Sequence, residues 1–174
     1  MTKIGSIFLF VLCGGIFIII AMGSSSDVDS SKYNTSKIYS VGDTLDCPAF
    51  DITINKVQIK KKGTRIDSYQ VIDDPEWIGV TLTVKNKSGE TKTFYSSDVD
   101  LINSNGEVLE RSWITYKIWG AQMLSSPELI SGGSKTGYIQ FANSNTNNSN
   151  LTLRVDCNTG LFDSKVVYKV NVSK

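Results

Sequence analysis

The side chains able to do chemistry in this chain are few, and one type is missing. Among 174 residues there is no histidine, which removes Ser-His-Asp and Cys-His nucleophiles and every His-ligated zinc site. No glycine-rich nucleotide loop is visible. Carboxylates remain. Asp98 and Asp100 form a D-x-D pair that would share one face of a strand, and hard cations need clustered carboxylates. The EF-hand spacing fails, because Ile102 stands at the next ligand position. Asp73, Asp74 and Glu76 make a second acidic cluster around Pro75. Solvated positions are the favoured reading for both groups. No catalytic residue, metal ligand or cofactor is therefore assigned, and the chain is expected to bind rather than catalyse.

Cysteine is the next reactive type. Cys13 falls in an apolar stretch, leaving Cys47 and Cys157 as an even pair in the remainder. An even pair suits an oxidising compartment. Cys47 just precedes a strand pattern and Cys157 ends another, so a disulfide closing a loop of about 110 residues is expected, with two free thiols as the alternative. Two further groups could recognise a partner without chemistry. In Trp113-Ile114-Thr115-Tyr116-Lys117-Ile118-Trp119, an extended backbone puts Trp113 and Trp119 on one face and Tyr116 on the other. Trp113, Tyr116 and Trp119 are the candidate ligand-binding residues, an aromatic platform for envelope polysaccharide or for a partner protein at the cell surface. Against that stands plain packing, with the tryptophans covering the open end of a sandwich; Trp77 is read as packing too. Lys60-Lys61-Lys62 with Arg65 is a positive patch at a strand end, suited to anionic lipid or wall polymer, with a solvated loop neutralised by nearby acids as the alternative.

The elements that position these residues begin with a membrane segment. Sixteen of the first 23 residues are apolar, and Ile4 to Met22 carries no charge. As a helix at ~1.5 Å per residue this run is close to the ~30 Å of bilayer hydrocarbon. A retained anchor through residues 4–22 is favoured over a signal peptide cut after Gly23, because signal-peptide apolar regions run ~7–15 residues. The short tail ahead of it points to an exported domain, tethered to the membrane or secreted if the segment is cleaved. Residues 24–37 are a Ser-rich flexible spacer. The remaining charges balance, since the surplus of +1 belongs to Lys3. No nucleic-acid partner is expected of a domain without a basic surplus.

Residues 38–174 read as one domain of short strands. Phe50, Ile52 and Ile54 alternate with polar residues, and Val57 and Ile59 resume the pattern after a one-residue slip, predicting a bulge near Asn55 and Lys56. Ile78, Val80, Leu82 and Val84 mark a strand with one buried face. Residues 138–141, 151–155 and 165–172 are further strands. Asn86 to Gly89 and Gly132-Gly133 are turns, Asn143 to Asn150 is a polar surface loop, and Asn105-Gly106 predicts a two-residue hairpin. Only Gly120 to Ser126 looks mildly helical. The sum is an all-β antiparallel sandwich.

The strings VGDTL, FDITINKVQI, WIGVTLTVKNKSGETKTFYSSDVDLINSNGEVLE and ELISGGSKTGYIQF resemble a bacterial extracytoplasmic family, domain of unknown function 4352. It is telokin-like and immunoglobulin-like, and is related to secreted mycobacterial immunoprotective antigens. The resemblance runs from about Ile38 to Val172. It implies an immunoglobulin-like β-sandwich behind an N-terminal signal or membrane helix, and it brings no site residues. Two features depart from the family pattern. Ser131-Gly132-Gly133 replaces its Pro-Gly, and residues 113–127 are longer and more aromatic than usual.

Overall fold

A computed structural model describes residues 35–73, 76–112, 119–144, 150–157 and 166–173. The N-terminal apolar segment, Cys13, most of the spacer, Asp74, Trp113 and Tyr116 lie outside them. No helix among the described residues is long and apolar enough to cross a membrane.

The strands are β1 (Ile38–Ser40), β2 (Thr44–Asp46), β3 (Phe50–Lys61), β4 (Glu76–Asn86), β5 (Lys92–Thr93) and β6 (Val99–Ile102). They continue as β7 (Glu110–Ser112), β8 (Glu128–Leu129), β9 (Ser134–Asn143), β10 (Asn150–Cys157) and β11 (Val166–Ser173). Two sheets form the layers, one ordered β1-β11-β10-β6 and the other β2-β3-β4-β9-β7, with β5 and β8 as a separate short pair. Every pairing is antiparallel except β1 with β11.

Period-two patterning explains the stacking. Ile52, Ile54, Ile78, Val80, Leu82, Val84, Ile139 and Phe141 line the inner face of the five-stranded sheet. Val99, Leu101, Leu151, Leu153, Val155, Tyr168, Val170 and Val172 answer from the other sheet. The β3–β4 register slips between Ile54 and Lys56, so the predicted bulge is present and keeps Val57 and Ile59 packed on the core.

Two local expectations need correction. Asn105-Gly106 does turn, with Gly106 at φ +84°, but no two-residue hairpin forms. The Asn103 carboxamide oxygen accepts from the backbone N–H of Asn105 and Glu107, both at 3.0 Å, and widens the loop. One bridge, Ile102 with Val108, remains before β7 leaves to pair with β9 in the other sheet. Gly120 to Ser126 is not helical. Its middle, Gln122 to Leu124, lies along β9, with Met123 bridged to Tyr138 and Leu124 N–H donating to the Tyr138 carbonyl at 2.8 Å. Neighbouring backbone satisfies these groups, so the segment has no need of its own helix.

The register fixes two ends of the sandwich. Phe50 pairs with Asn86, and Cys47 and Cys157 join at that same end. At the other end Lys61 pairs with Glu76, which pairs with Asn143, and Asn150 pairs with Ser173. β11 starts opposite Cys157, and β1 runs parallel to it, so the chain rises into β1 from the disulfide end. The loop after β3 therefore stands at the end opposite to chain entry. The 12 residues of β3 run roughly 35–40 Å from the disulfide end to that loop.

Candidate interaction surfaces

The tryptophan strap comes first. Gly79 sits mid-strand on the outward face of β4, where any side chain would stand in the way. A Cβ built there would lie 2.5 Å from Trp119 Cδ2. The indole of Trp119 occupies that space, only 4% exposed, tilted against Tyr138 at 6.1 Å between ring centroids. Its Nε1–H donates to Gln140 Oε1 at 2.5 Å. Trp77, Ile72, Trp119 and Tyr138 form a second apolar cluster, with Ile66, Ala121 and Met123 packed against it. This cluster lies on the outside of the five-stranded sheet, separate from the inter-sheet core. Of the expected aromatic platform, Trp113 and Tyr116 lie outside the described residues. Trp119 is turned inward, because the strand beneath it leaves a glycine-sized slot; it presents no open stacking face. Trp77 packs as expected.

The acidic candidates are structural. Asp98 belongs to a short 3-10 turn, Ser96–Asp98, and only Asp100 lies in β6, so the two do not share a strand face. The Asp100 carboxylate is bridged by the guanidinium groups of Arg111 and Arg154. Arg111 also donates to the Val99 carbonyl at 3.1 Å and the Ser97 carbonyl at 2.8 Å. One carboxylate thus ties β7 of one sheet to β6 and β10 of the other. Two cations around Asp100 repel a metal ion from that position. Glu76 is buried and accepts from Asn143 Nδ2 at 3.0 Å, while Asp73 is exposed. Among the described residues no group of three His, Cys, Asp or Glu is placed to hold a metal.

At the disulfide end, Cys47 and Cys157 are bonded, with 5.4 Å between their Cα atoms and a sequence separation of 110. The staple joins the β2–β3 turn of one sheet to the end of β10 in the other. Nearby, Asn86 Nδ2 donates to the carbonyls of Glu90 at 2.7 Å and Leu129 at 2.8 Å, while its Oδ1 accepts from Ser88 N–H at 2.9 Å. That single amide holds the turn after β4 against β8. Lys87 pairs with Asp46 and Asp51. Burial pulls its pKa down, but hydrogen bonds and attraction from those two carboxylates outweigh burial and hold it above the ordinary lysine value.

The opposite end carries the basic patch, as a built loop. After β3 the chain turns back through a bridge between Arg65 and Val71. Asp67 Oδ1 accepts from the N–H groups of Tyr69 at 2.7 Å and Gln70 at 2.8 Å. Arg65 donates through Nε to the Asp67 carbonyl and through Nη2 to the Ser68 carbonyl, both at 3.2 Å. Ile66 and Ile72 root the loop in the outer cluster beside Trp77. Lys61, Lys62 and Arg65 are exposed and Lys60 is half-buried. Among the described residues no ion pair involves any of the three lysines. At the loop's apex the Tyr69 side chain is 96% exposed. Sequence reasoning found the lysines but passed over Tyr69; the available signal was a lone aromatic in the polar turn DSYQ. Gly79 carries a signal of its own in the sequence, because a glycine inside a strand marks close approach by another group.

The chain is a two-layer β-sandwich of antiparallel design, stapled between layers at one end and crowned by a braced hairpin at the other. It belongs to the family described as Domain of unknown function (DUF4352), whose model matches residues 39–167. Solved structures share the fold. The yjhA protein from Bacillus subtilis superimposes with TM-score 0.60 at 20% identity, covering 77% of this chain and 99% of its own. A functionally unknown protein from Listeria monocytogenes gives TM-score 0.57 at 14% identity, covering 80% and 86%. The secreted protein MPT63 from Mycobacterium tuberculosis gives TM-score 0.51 at 16% identity, covering 80% and 99%. No curated protein sequence matches the chain significantly.

Proposed function

We propose that this protein is a non-catalytic, extracytoplasmic interaction module of the cell envelope, with an immunoglobulin-like domain displayed by its apolar N-terminal segment. The observation that carries this reading is the Cys47–Cys157 bridge between the sheets. Structural disulfides persist in oxidising compartments and are rare in reducing ones. The apolar run at residues 4–22 supplies a route to export, and the fold is shared with a protein described as secreted. The immunoglobulin-like reading is supported by a chain that changes sheets from β1 to β2, from β6 to β7 and from β9 to β10. The non-catalytic part of the reading is supported by the use made of the polar groups: Asp100, Asn86 and Glu76 are engaged in holding the fold. The polysaccharide-platform alternative would rest on Trp113 and Tyr116 without Trp119.

The test is fractionation of cells producing the full chain, followed by alkylation of free thiols and mass spectrometry. Recovery with the envelope or medium, with Cys47 and Cys157 unalkylated until reduction, is the expected result. Recovery in the cytosol with both thiols alkylated would sink the proposal.

A further inference from the structure

We propose that the hairpin tip formed by Lys60, Lys61, Lys62, Arg65 and Tyr69 is a docking site for a phosphate-bearing anionic polymer outside the cell; this rests on the extracytoplasmic reading above. Three observations carry it. The first is charge: three consecutive lysines have no carboxylate partner among the described residues, and Arg65 is exposed beside them. Within the loop itself, Asp67 spends one carboxylate oxygen on backbone N–H groups, and Asp73 is the other described acid.

The second is preorganisation. Paired backbone bonds, such as Gly63 N–H to the Ile72 carbonyl at 2.8 Å and Ile66 N–H to the Gln70 carbonyl at 2.9 Å, join the Arg65 brace in fixing the loop. A fixed loop loses little entropy on binding. It nevertheless holds Tyr69 almost wholly in water at its apex. An aromatic ring at the apex with lysines at the base of the same hairpin suits an extended polyol phosphate chain, the ring covering carbon-bound hydrogens while the ammonium groups take phosphates further along.

The third is topology, which chooses between two sources of phosphate. The chain enters β1 from the disulfide end, and the tip stands at the other. A domain tethered on the disulfide side carries the lysines at its distal end, where the flexible spacer leaves them free to reach the surrounding envelope. That orientation favours a polymer in the surrounding envelope over the lipid headgroups underneath.

The experiment uses the full chain in an uncharged detergent, applied to immobilised poly(glycerol phosphate) with neutral dextran as the blank. Retention should fall steeply as salt rises, because polyanion binding releases counterions. Replacing the cluster by Lys60→Gln/Lys61→Gln/Lys62→Gln should weaken retention by about tenfold or more, and Tyr69→Ala by several-fold. A charge-matched control, Lys85→Gln/Lys135→Gln/Lys169→Gln, alters exposed lysines elsewhere and should leave retention unchanged. Unchanged thermal midpoints would confirm that all the variants fold. Retention lost equally in both triple variants would overturn the proposal in favour of general charge, and no retention above dextran would overturn it outright. Doping the micelles with phosphatidylglycerol should not compete; competition would assign the tip to lipid instead. None of these failures bears on thiol status or cell fraction, so the extracytoplasmic reading stands or falls separately.

Discussion

Gly79 shows how much one absent methyl group decides. Its missing side chain is the slot in which Trp119 lies, and a Cβ would press on the ring at 2.5 Å. The ring cannot retreat without losing its bond to Gln140 and its contact with Tyr138. Gly79→Ala should therefore destabilise the fold by about 1–3 kcal/mol, the usual cost of overpacking. Trp119→Ala should cost about 3–5 kcal/mol, since it opens the outer cluster. The two effects should not add. Once the ring is gone the extra methyl has room, so the double variant should match Trp119→Ala within about 0.5 kcal/mol. Urea unfolding of the three variants measures this, and simple additivity would show that the ring does not depend on the glycine.

At the scale of elements, the clamp around Asp100 joins strands that hydrogen bonding alone would leave in separate layers. Among the described residues β7 pairs with β9, and β10 pairs with β6 and β11, yet Arg111 and Arg154 meet on one carboxylate. The group is partly screened, so its worth lies between an exposed ion pair and a buried one. Asp100→Ala should cost about 1–3 kcal/mol, with Asp100→Asn intermediate because it keeps one acceptor oxygen, for one of the two arginines, and no charge. High salt should narrow the gap between the native protein and the Asp100→Asn variant in chemical unfolding. A gap that salt does not touch would mean that packing, not charge, holds the strands. The same scale explains the failed hairpin expectation. Asn105-Gly106 has the right residues for a tight turn, but Asn103 offers its own side chain to Asn105 and Glu107, and β9 offers β7 a longer partner.

For the whole molecule the disulfide is the largest single constraint. It closes a loop of 110 residues, and in the chain-entropy model such a loop is worth about 4–5 kcal/mol. Reduction, or Cys47→Ala/Cys157→Ala, should lower stability by about 2–5 kcal/mol, read as a lower urea midpoint with a steeper slope, because the unbridged chain unfolds to a more expanded state. A shift under about 0.5 kcal/mol would show that the sandwich does not need its staple.

What the sequence determined by itself is whatever depends on neighbours along the chain. Alternation placed Ile52, Ile54, Ile78, Val80, Leu82 and Val84 on one buried face, because consecutive strand side chains point to opposite sides. The slip between Ile54 and Lys56 was legible for the same reason. The family was legible in its strand and turn strings. The partnership of Cys47 and Cys157 was expected, with two free thiols left open, and the structure joins them. The rest needed contacts between distant segments. That Trp119 faces inward depends on a glycine 40 residues earlier in the chain. That Asp100 is claimed by two arginines depends on strands from both sheets. Which end of the sandwich carries the lysines, and that this end lies opposite to chain entry, follows from the parallel pairing of β1 with β11. Side-chain alternation fixes which face a residue takes, but it carries no information about which strand lies alongside. Only the closed sandwich supplies that.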